Sequence, residues 1–124
     1  MKQPIATASA PEAIGPYSQG IKAGGFLYVS GQLPMRPDGY IERDDVKAAA
    51  RICLGNIEAI LKAGGGSLED VVKTTIFLTD LNDFVAVNDA YGAFFVCPPA
   101  RSTVQAAALP KGACVEIEAV AYIE

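Results

Sequence analysis

Residues 44–66 read DDVKAAARICLGNIEAILKAGGG and residues 71–79 read VVKTTIFLT, a long amphipathic stretch followed by a β-branched one. Val46, Ala49, Ala50, Cys53, Leu54, Ile57, Ile60 and Leu61 recur at the three-and-four spacing of one helical face. Asp44 stands where an N-cap belongs. Glu58 and Lys62, one turn apart on the exposed face, can pair. Gly64-Gly65-Gly66 ends the helix by accepting left-handed geometry. A helix with one apolar face must bury it, and a strand rich in Val, Thr and Ile suits a half-buried sheet. The two stretches together predict a helix packed on a sheet.

Upstream, Tyr17 to Gly31 reads as a hairpin turning at Gly24-Gly25, a dipeptide able to supply positive φ. A two-residue loop there sets Ala23 opposite Phe26, Gln19 opposite Ser30 and Tyr17 opposite Gln32. Tyr17 and Ser30 then become diagonal neighbours, roughly 7–8 Å apart. Residues 1–16, with Pro4, Pro11 and Pro16, read as an extended, irregular lead-in. Pro34 to Tyr40 reads as a loop turning at Pro37-Asp38-Gly39, with room for a short strand near Tyr40.

Downstream, Asp80 or Asn82 caps a second helix whose stripe is Phe84, Val87, Tyr91 and Phe94, with Phe95 alongside and Asn88 inside it. Pro98-Pro99 stops that helix. Arg101–Ala107 and Cys114–Tyr122 read as two strands around a Pro110–Gly112 turn. The order ββαβαββ, over one domain of residues 1–124, is an α+β fold with two helices on one face of a mostly antiparallel sheet. The other face carries Thr75 and Phe77 and small residues such as Ala119 and Ala121, and its apolar character points to oligomerisation.

Composition narrows the function classes. The chain is 51% apolar and 19% charged with a net charge of −4, so it is globular and repels phosphate backbones; nucleic acid is not expected as a partner. No apolar run reaches the ~18–20 residues that cross a bilayer, and no signal-peptide pattern follows Met1. The expectation is a cytoplasmic protein without membrane attachment. Cys53, Cys97 and Cys114 form no CxxC and provide no metal-ligand spacing. The chain has no histidine, which removes Ser-His-Asp and Cys-His nucleophile units. Proton transfer falls to carboxylates, tyrosine, a thiol, the N-terminal amine or water. No dinucleotide, P-loop, zincin or EF-hand pattern occurs, so neither a metal nor a cofactor is expected.

Arg101, directly after Pro98-Pro99-Ala100, places a permanently charged fork at a strand start, suited to a carboxylate. Glu116 and Glu118 alternate with Val115, Ile117 and Ala119, which alone describes the polar face of a half-buried strand. In a hairpin centred on Pro110-Lys111, Arg101 lies opposite Val120, roughly 13 Å along the strand from Glu116. Contact needs an earlier turn, a bulge, a bridging ligand or a second subunit. Asn88 in an apolar stripe needs hydrogen-bond partners, from local backbone or from a ligand.

These positions together resemble the Rid family, the reactive intermediate deaminases also called YjgF-like proteins. The resemblance begins at Ile14-Gly15-Pro16-Tyr17-Ser18-Gln19-Gly20 and Ser30-Gly31-Gln32. It continues through Val72–Leu78, Asp83-Phe84 and Val87-Asn88, and ends in Pro99-Ala100-Arg101-Ser102 and Val115–Ala119. It implies a chorismate-mutase-like α+β fold and a homotrimer with clefts between subunits. The implied activity is cofactor-free hydrolysis of enamines and imines derived from amino acids, such as 2-aminoacrylate, to 2-oxo acids and ammonia. By position, Arg101 would bind the substrate carboxylate and Glu116 would orient water and move a proton. Tyr17, Ser30 and Asn88 would shape the pocket, and the backbone near Gly31 and Thr103 would add donors. Two features depart from the family pattern: Thr103 stands where many members have cysteine, and the link Val96–Ala100 is short. The competing functions are a non-catalytic trimeric module that binds small 2-oxo acids or a partner protein, and a ribonuclease. The acidic charge and absent histidine oppose the last.

Overall fold

The computed structural model describes residues 1–124. Its strands are β1 (Lys2–Ile5), β2 (Gly20–Ala23), β3 (Phe26–Gln32), β4 (Val71–Leu78), β5 (Ala100–Gln105) and β6 (Val115–Tyr122). Helix α1 (Val46–Ala63) precedes β4, and α2 (Phe84–Gly92) lies between β4 and β5. The strands form one six-stranded sheet in the order β1-β2-β3-β6-β4-β5. Only β4 and β5 run parallel, because α2 carries the chain back between them. The fold is α+β, with both helices on one face of a mostly antiparallel mixed sheet.

Helix α1 follows the predicted spacing. Leu54, Ile57, Ile60 and Leu61 are fully buried against a sheet face that includes Leu27, Ile76 and Ile117. Each such side chain contributes about 1.5–3 kcal/mol by leaving water. The glycine stop is a Schellman motif: Gly66 N–H donates to Leu61 O at 2.8 Å and Gly65 N–H to Lys62 O at 3.1 Å. Gly65 sits at φ +89°, which a side chain would strain.

The cap is Asp45 rather than Asp44. Asp45 Oδ1 accepts from the amides of Lys47 and Ala48, each at 3.1 Å. Glu42 explains the shift, since its carboxylate accepts from the amides of Asp44 and Asp45 and holds Asp44 outside the helix. The amide of Asp45, the Tyr40 hydroxyl and the amide of Asp44 together hold the Glu42 carboxyl below its ordinary range. Glu58 and Lys62 do not pair; the single ion pair joins Lys47 to Asp89, between the two helices, at 3.1 Å.

The Gly24-Gly25 hairpin has the expected register, with Ala23 opposite Phe26 and Ser30 N–H donating to Gln19 O at 2.9 Å. Its first strand starts at Gly20, however, so Tyr17 is not paired with Gln32. Tyr17 N–H turns back to Gly15 O at 2.9 Å, with Gly15 at φ +112°. The irregular lead-in contains an unexpected edge strand, β1, whose Pro4 is tolerated because β1 has a neighbour on one side only. Near Tyr40 the chain makes an isolated bridge, Met35 to Ile41. Asp80 caps a short 3₁₀ turn, Leu81–Asp83, that leads into α2.

The largest difference is the C-terminal hairpin. β5 and β6 are not neighbours; β4 lies between them. Burial decides this. β6 alternates buried Val115, Ile117, Ala119 and Ala121 with more exposed residues and fits between two strands. β5 has no buried residue and is satisfied at an edge. Ala119 and Ala121 face the helices, so the uncovered face instead carries Thr75, Phe77, Phe26, Tyr28, Val104 and Tyr122.

The two candidate caps separate by mutation. Asp45→Ala costs about 1 kcal/mol in urea unfolding. Asp44→Ala changes stability by less than about 0.5 kcal/mol.

Candidate active site

The residues singled out from the sequence fall into two groups. The first surrounds a cavity of about 670 Å³ whose lining includes Tyr17, Ser30, Gly31, Lys111, Glu116 and Glu118. A β-bulge builds its floor. Between the pairs Val29–Ala119 and Gln32–Ile117, β3 has Ser30 and Gly31 where β6 has only Glu118. Gly31 passes close to the acidic group: a Cβ added there would lie 2.5 Å from Glu116 Oε2. The missing side chain is therefore the space that the carboxylate occupies. Ser30 Oγ donates to Ser18 O at 2.6 Å and fixes the segment that carries Tyr17. Glu116 is half-buried, and burial, followed by the neighbouring Glu118 charge, pushes its carboxyl above the ordinary value.

The second group lies at the β5 edge. Arg101 pairs with Thr74 of β4, and registered residues of adjacent strands share a face. Thr74 is buried on the helix side, where its Oγ1 and the Tyr91 hydroxyl are 2.7 Å apart. Arg101 therefore points to the helix side. Its guanidinium carbon lies 4.9 Å from the Tyr91 ring centroid and 5.4 Å from that of Phe84. No hydrogen bond or ion pair within the chain engages its donors. Asn88, one turn from both Phe84 and Tyr91, shares their face of α2; it is half-buried and its amide makes no hydrogen bond. Thr103, two residues beyond Arg101 on the same face, has a buried hydroxyl without a partner. One charged and two neutral polar groups thus keep hydrogen-bonding capacity at one place.

A single chain does not join the groups. Glu116 is opposite Phe77 on β4 and faces away from the helices, whereas Arg101 aligns with Thr74 and, across β4, with Ala119. The two lie two strand spacings apart, about 10 Å across the sheet, and three residues, about 10 Å, apart along it, on opposite faces.

Sequence reading missed the devices that shape the cavity walls. The buried Gln19 carboxamide accepts from Thr7 N–H and donates to the carbonyls of Thr7, Ala10 and Pro11, holding the lead-in over the cavity. The buried Asn56 amide donates to Met35 O at 2.7 Å. Lys111 stands at φ +60°, with its carbonyl accepting from Arg43 Nε at 2.9 Å. An unexpected polar residue at a core position of α1 was the available signal for Asn56; Gln19 stood in the Ile14–Gly20 block and Lys111 in the Pro110–Gly112 turn, with nothing local to show what they hold.

Comparison with known proteins adds identity. The family description Endoribonuclease L-PSP matches residues 7–123. A Salmonella typhimurium (strain LT2) protein named 2-iminobutanoate/2-iminopropanoate deaminase is 49% identical over 125 residues, covering 98% of each chain. The structure of E. coli TdcF with bound serine superposes with a TM-score of 0.95 at 46% identity, covering 98% of this chain and 99% of that one. YyfA from Yersinia pestis, described as a conserved Rid family protein, gives a TM-score of 0.96 at 48% identity, covering 99% of this chain and 100% of that one. With that family match, and relatives nearly half identical along their whole length, the chain belongs to the Rid family.

Proposed function

We propose that this protein is a hydrolytic deaminase of reactive enamines and imines derived from amino acids, releasing 2-oxo acids and ammonia without a cofactor. The observation that carries the reading is the charge division of the site. A free arginine fork lies beside Asn88 and Thr103 on one face, and an acidic cavity with the raised Glu116 carboxyl lies on the other. A protonated 2-imino acid is a zwitterion of matching ends, with a carboxylate for Arg101 and an iminium for the Glu116 side. The name of the Salmonella relative agrees with this substrate class.

The steps require one proton carrier. An enamine such as 2-aminoacrylate gains a proton at C3 and loses one from nitrogen, giving 2-iminopropanoate. Arg101 holds the carboxylate bidentately, which fixes C2. Glu116 takes a proton from a water as its oxygen adds to C2, then delivers it to nitrogen. As the C2–N bond breaks, the carbinolamine hydroxyl returns its proton to Glu116, and ammonia and the 2-oxo acid leave. A positioned acid–base group of this kind contributes about 10²–10⁴-fold. Tyr17, Ser30, Asn88 and the backbone at Gly31 and Thr103 orient the reacting end.

A second subunit joins the two halves. The opposed directions of Arg101 and Glu116 support this, as do the exposed Phe26, Tyr28 and Tyr122 on the uncovered face, 41%, 48% and 44% accessible. The assembly we propose is the homotrimer the family resemblance implies, with one cleft between each pair of neighbours. A cytoplasmic location is supported by three free cysteines, none in a disulfide. No helix is long and apolar enough to cross a membrane. The net charge of −4 and the absence of histidine favour the deaminase over the nuclease that the family description names.

Enamine supplied by a serine dehydratase and trapped as the semicarbazone reads the activity directly. Arg101→Ala lowers kcat/KM by about 10²–10⁴-fold while leaving fold and assembly intact, since two charge-assisted hydrogen bonds are lost. Full activity in that variant overturns the proposal. Glu116→Gln removes hydrolysis while sparing 2-oxo acid affinity; retained hydrolysis would move the assignment to the non-catalytic module. Co-expressed Arg101→Ala and Glu116→Gln chains recover about one quarter of the wild-type rate, because random mixing leaves that share of clefts intact. No recovery from mixed assemblies rules out the intersubunit site.

The pH dependence follows from Glu116. In the subunit, burial and then the Glu118 charge raise the Glu116 carboxyl, and a bound iminium acts in the opposite direction. Glu116 must be ionised to accept a proton, so kcat, measured against the uncatalysed rate, falls along an acid limb as pH drops through the Glu116 titration. Glu118→Gln moves that limb down only part of the way, because burial is the larger cause. An unmoved limb in this variant assigns it to another group.

A further inference from the structure

Arg101 has no polar partner in its own chain. An arginine held by a carboxylate would have its fork occupied and its charge matched before substrate arrived. Here two aromatic rings do the holding. The guanidinium carbon is 4.9 Å from the Tyr91 centroid and 5.4 Å from the Phe84 centroid, both within the range where ring faces attract cations. Such attraction uses the charge and consumes no N–H donor.

We propose that Phe84 and Tyr91 form an aromatic seat that positions Arg101, with its donors open, for the substrate carboxylate. The inference rests on the deaminase reading above and adds two positioning residues to it. Phe84 and Tyr91 are seven residues apart on α2, two turns along one face. Tyr91 is fixed from behind: it is buried, and its hydroxyl meets Thr74 Oγ1 at 2.7 Å. Thr74 is also the residue of β4 in register with Arg101, so one strand position anchors both the arginine backbone and the ring beneath its side chain. Burial pushes the Tyr91 hydroxyl above its ordinary value, which keeps it neutral beside the cation. Phe84 is the more accessible ring, at 37%, so replacing it leaves the core in place.

The seat acts on ground-state order. An arginine released from it recovers rotamer freedom that substrate binding must then remove. Loss of a ring therefore weakens carboxylate binding more than it slows the chemical step.

The test uses the intact protein with Phe84→Leu, Phe84→Tyr, Arg101→Ala and the double variant Phe84→Leu/Arg101→Ala. Pyruvate affinity is measured by calorimetry, and KM and kcat with 2-iminopropanoate generated in situ. Phe84→Leu weakens pyruvate binding and raises KM by roughly 3–30-fold, with a much smaller fall in kcat. Phe84→Tyr, which keeps the ring, returns both to near wild type. In the Arg101→Ala background Phe84→Leu adds no further loss. Wild-type pyruvate affinity in Phe84→Leu, failure of Phe84→Tyr to restore it, or an equal loss without Arg101 each overturns the seat. If Arg101→Ala alone binds and turns over normally, the deaminase reading falls with it. If Arg101→Ala is crippled while Phe84→Leu is not, only the seat falls.

Discussion

The alternation of β4 is the constraint from which the site follows. Successive residues of a strand point to opposite faces, and β4 is bonded on both sides. Thr74, Ile76 and Leu78 go under the helices, and their registered partners Arg101, Thr103 and Gln105 follow. Thr75 and Phe77 go to the open face, together with Glu118 and Glu116. The separation of the guanidinium from the carboxylate is thus written into the pleat, and a one-residue slip of β5 would reverse it. Between β4 and β6 a slip is resisted more strongly, because it would turn Ile76 or Ile117 to water.

The acidic half carries a stability cost. Glu116 is half-buried with a raised carboxyl, so the folded subunit disfavours its ionised form relative to the unfolded chain. The sign follows directly: the penalty is absent below the ordinary glutamate value and is fully present once pH exceeds the folded value. A carboxylate held against its own solvation, with a bare glycine admitting it, supports the role proposed for Glu116 more than either feature alone.

Local physics was legible in the sequence and long-range pairing was not. The α1 face, the glycine stop and the Gly24-Gly25 turn each depend on a few neighbouring residues, and each appears as read. The cap moved by one residue because Glu42, outside the helix, decides which aspartate is free to turn inward. The β5–β6 hairpin failed for a larger reason. Consecutive strands pair by default, and only the difference in burial between Ala100–Gln105 and Val115–Tyr122 shows that one belongs at the edge and the other inside. That difference is a property of the assembled sheet. Ala119 and Ala121, expected on the open face, alternate in step with buried Val115 and Ile117 and are the small residues that let α1 approach. The site residues came from family resemblance, since Arg101 and Glu116 taken singly are ordinary; the sheet adds that they face apart.

The departure from the family pattern at Thr103 is compatible with the proposed chemistry. A cysteine at that position supplies a weak donor and a nucleophile, whereas threonine supplies a hydroxyl that both donates and accepts. In this chain that hydroxyl is buried without a partner, beside an arginine whose fork is also unengaged. An orphaned buried hydroxyl is costly in an empty site and becomes favourable when a ligand oxygen reaches it. Hydrolysis of an activated imine needs no protein nucleophile, because water adds to C2 and one carboxylate carries the proton. The groups required are therefore a carboxylate anchor, a proton carrier and donors that fix the reacting end. Losing a thiol removes none of them.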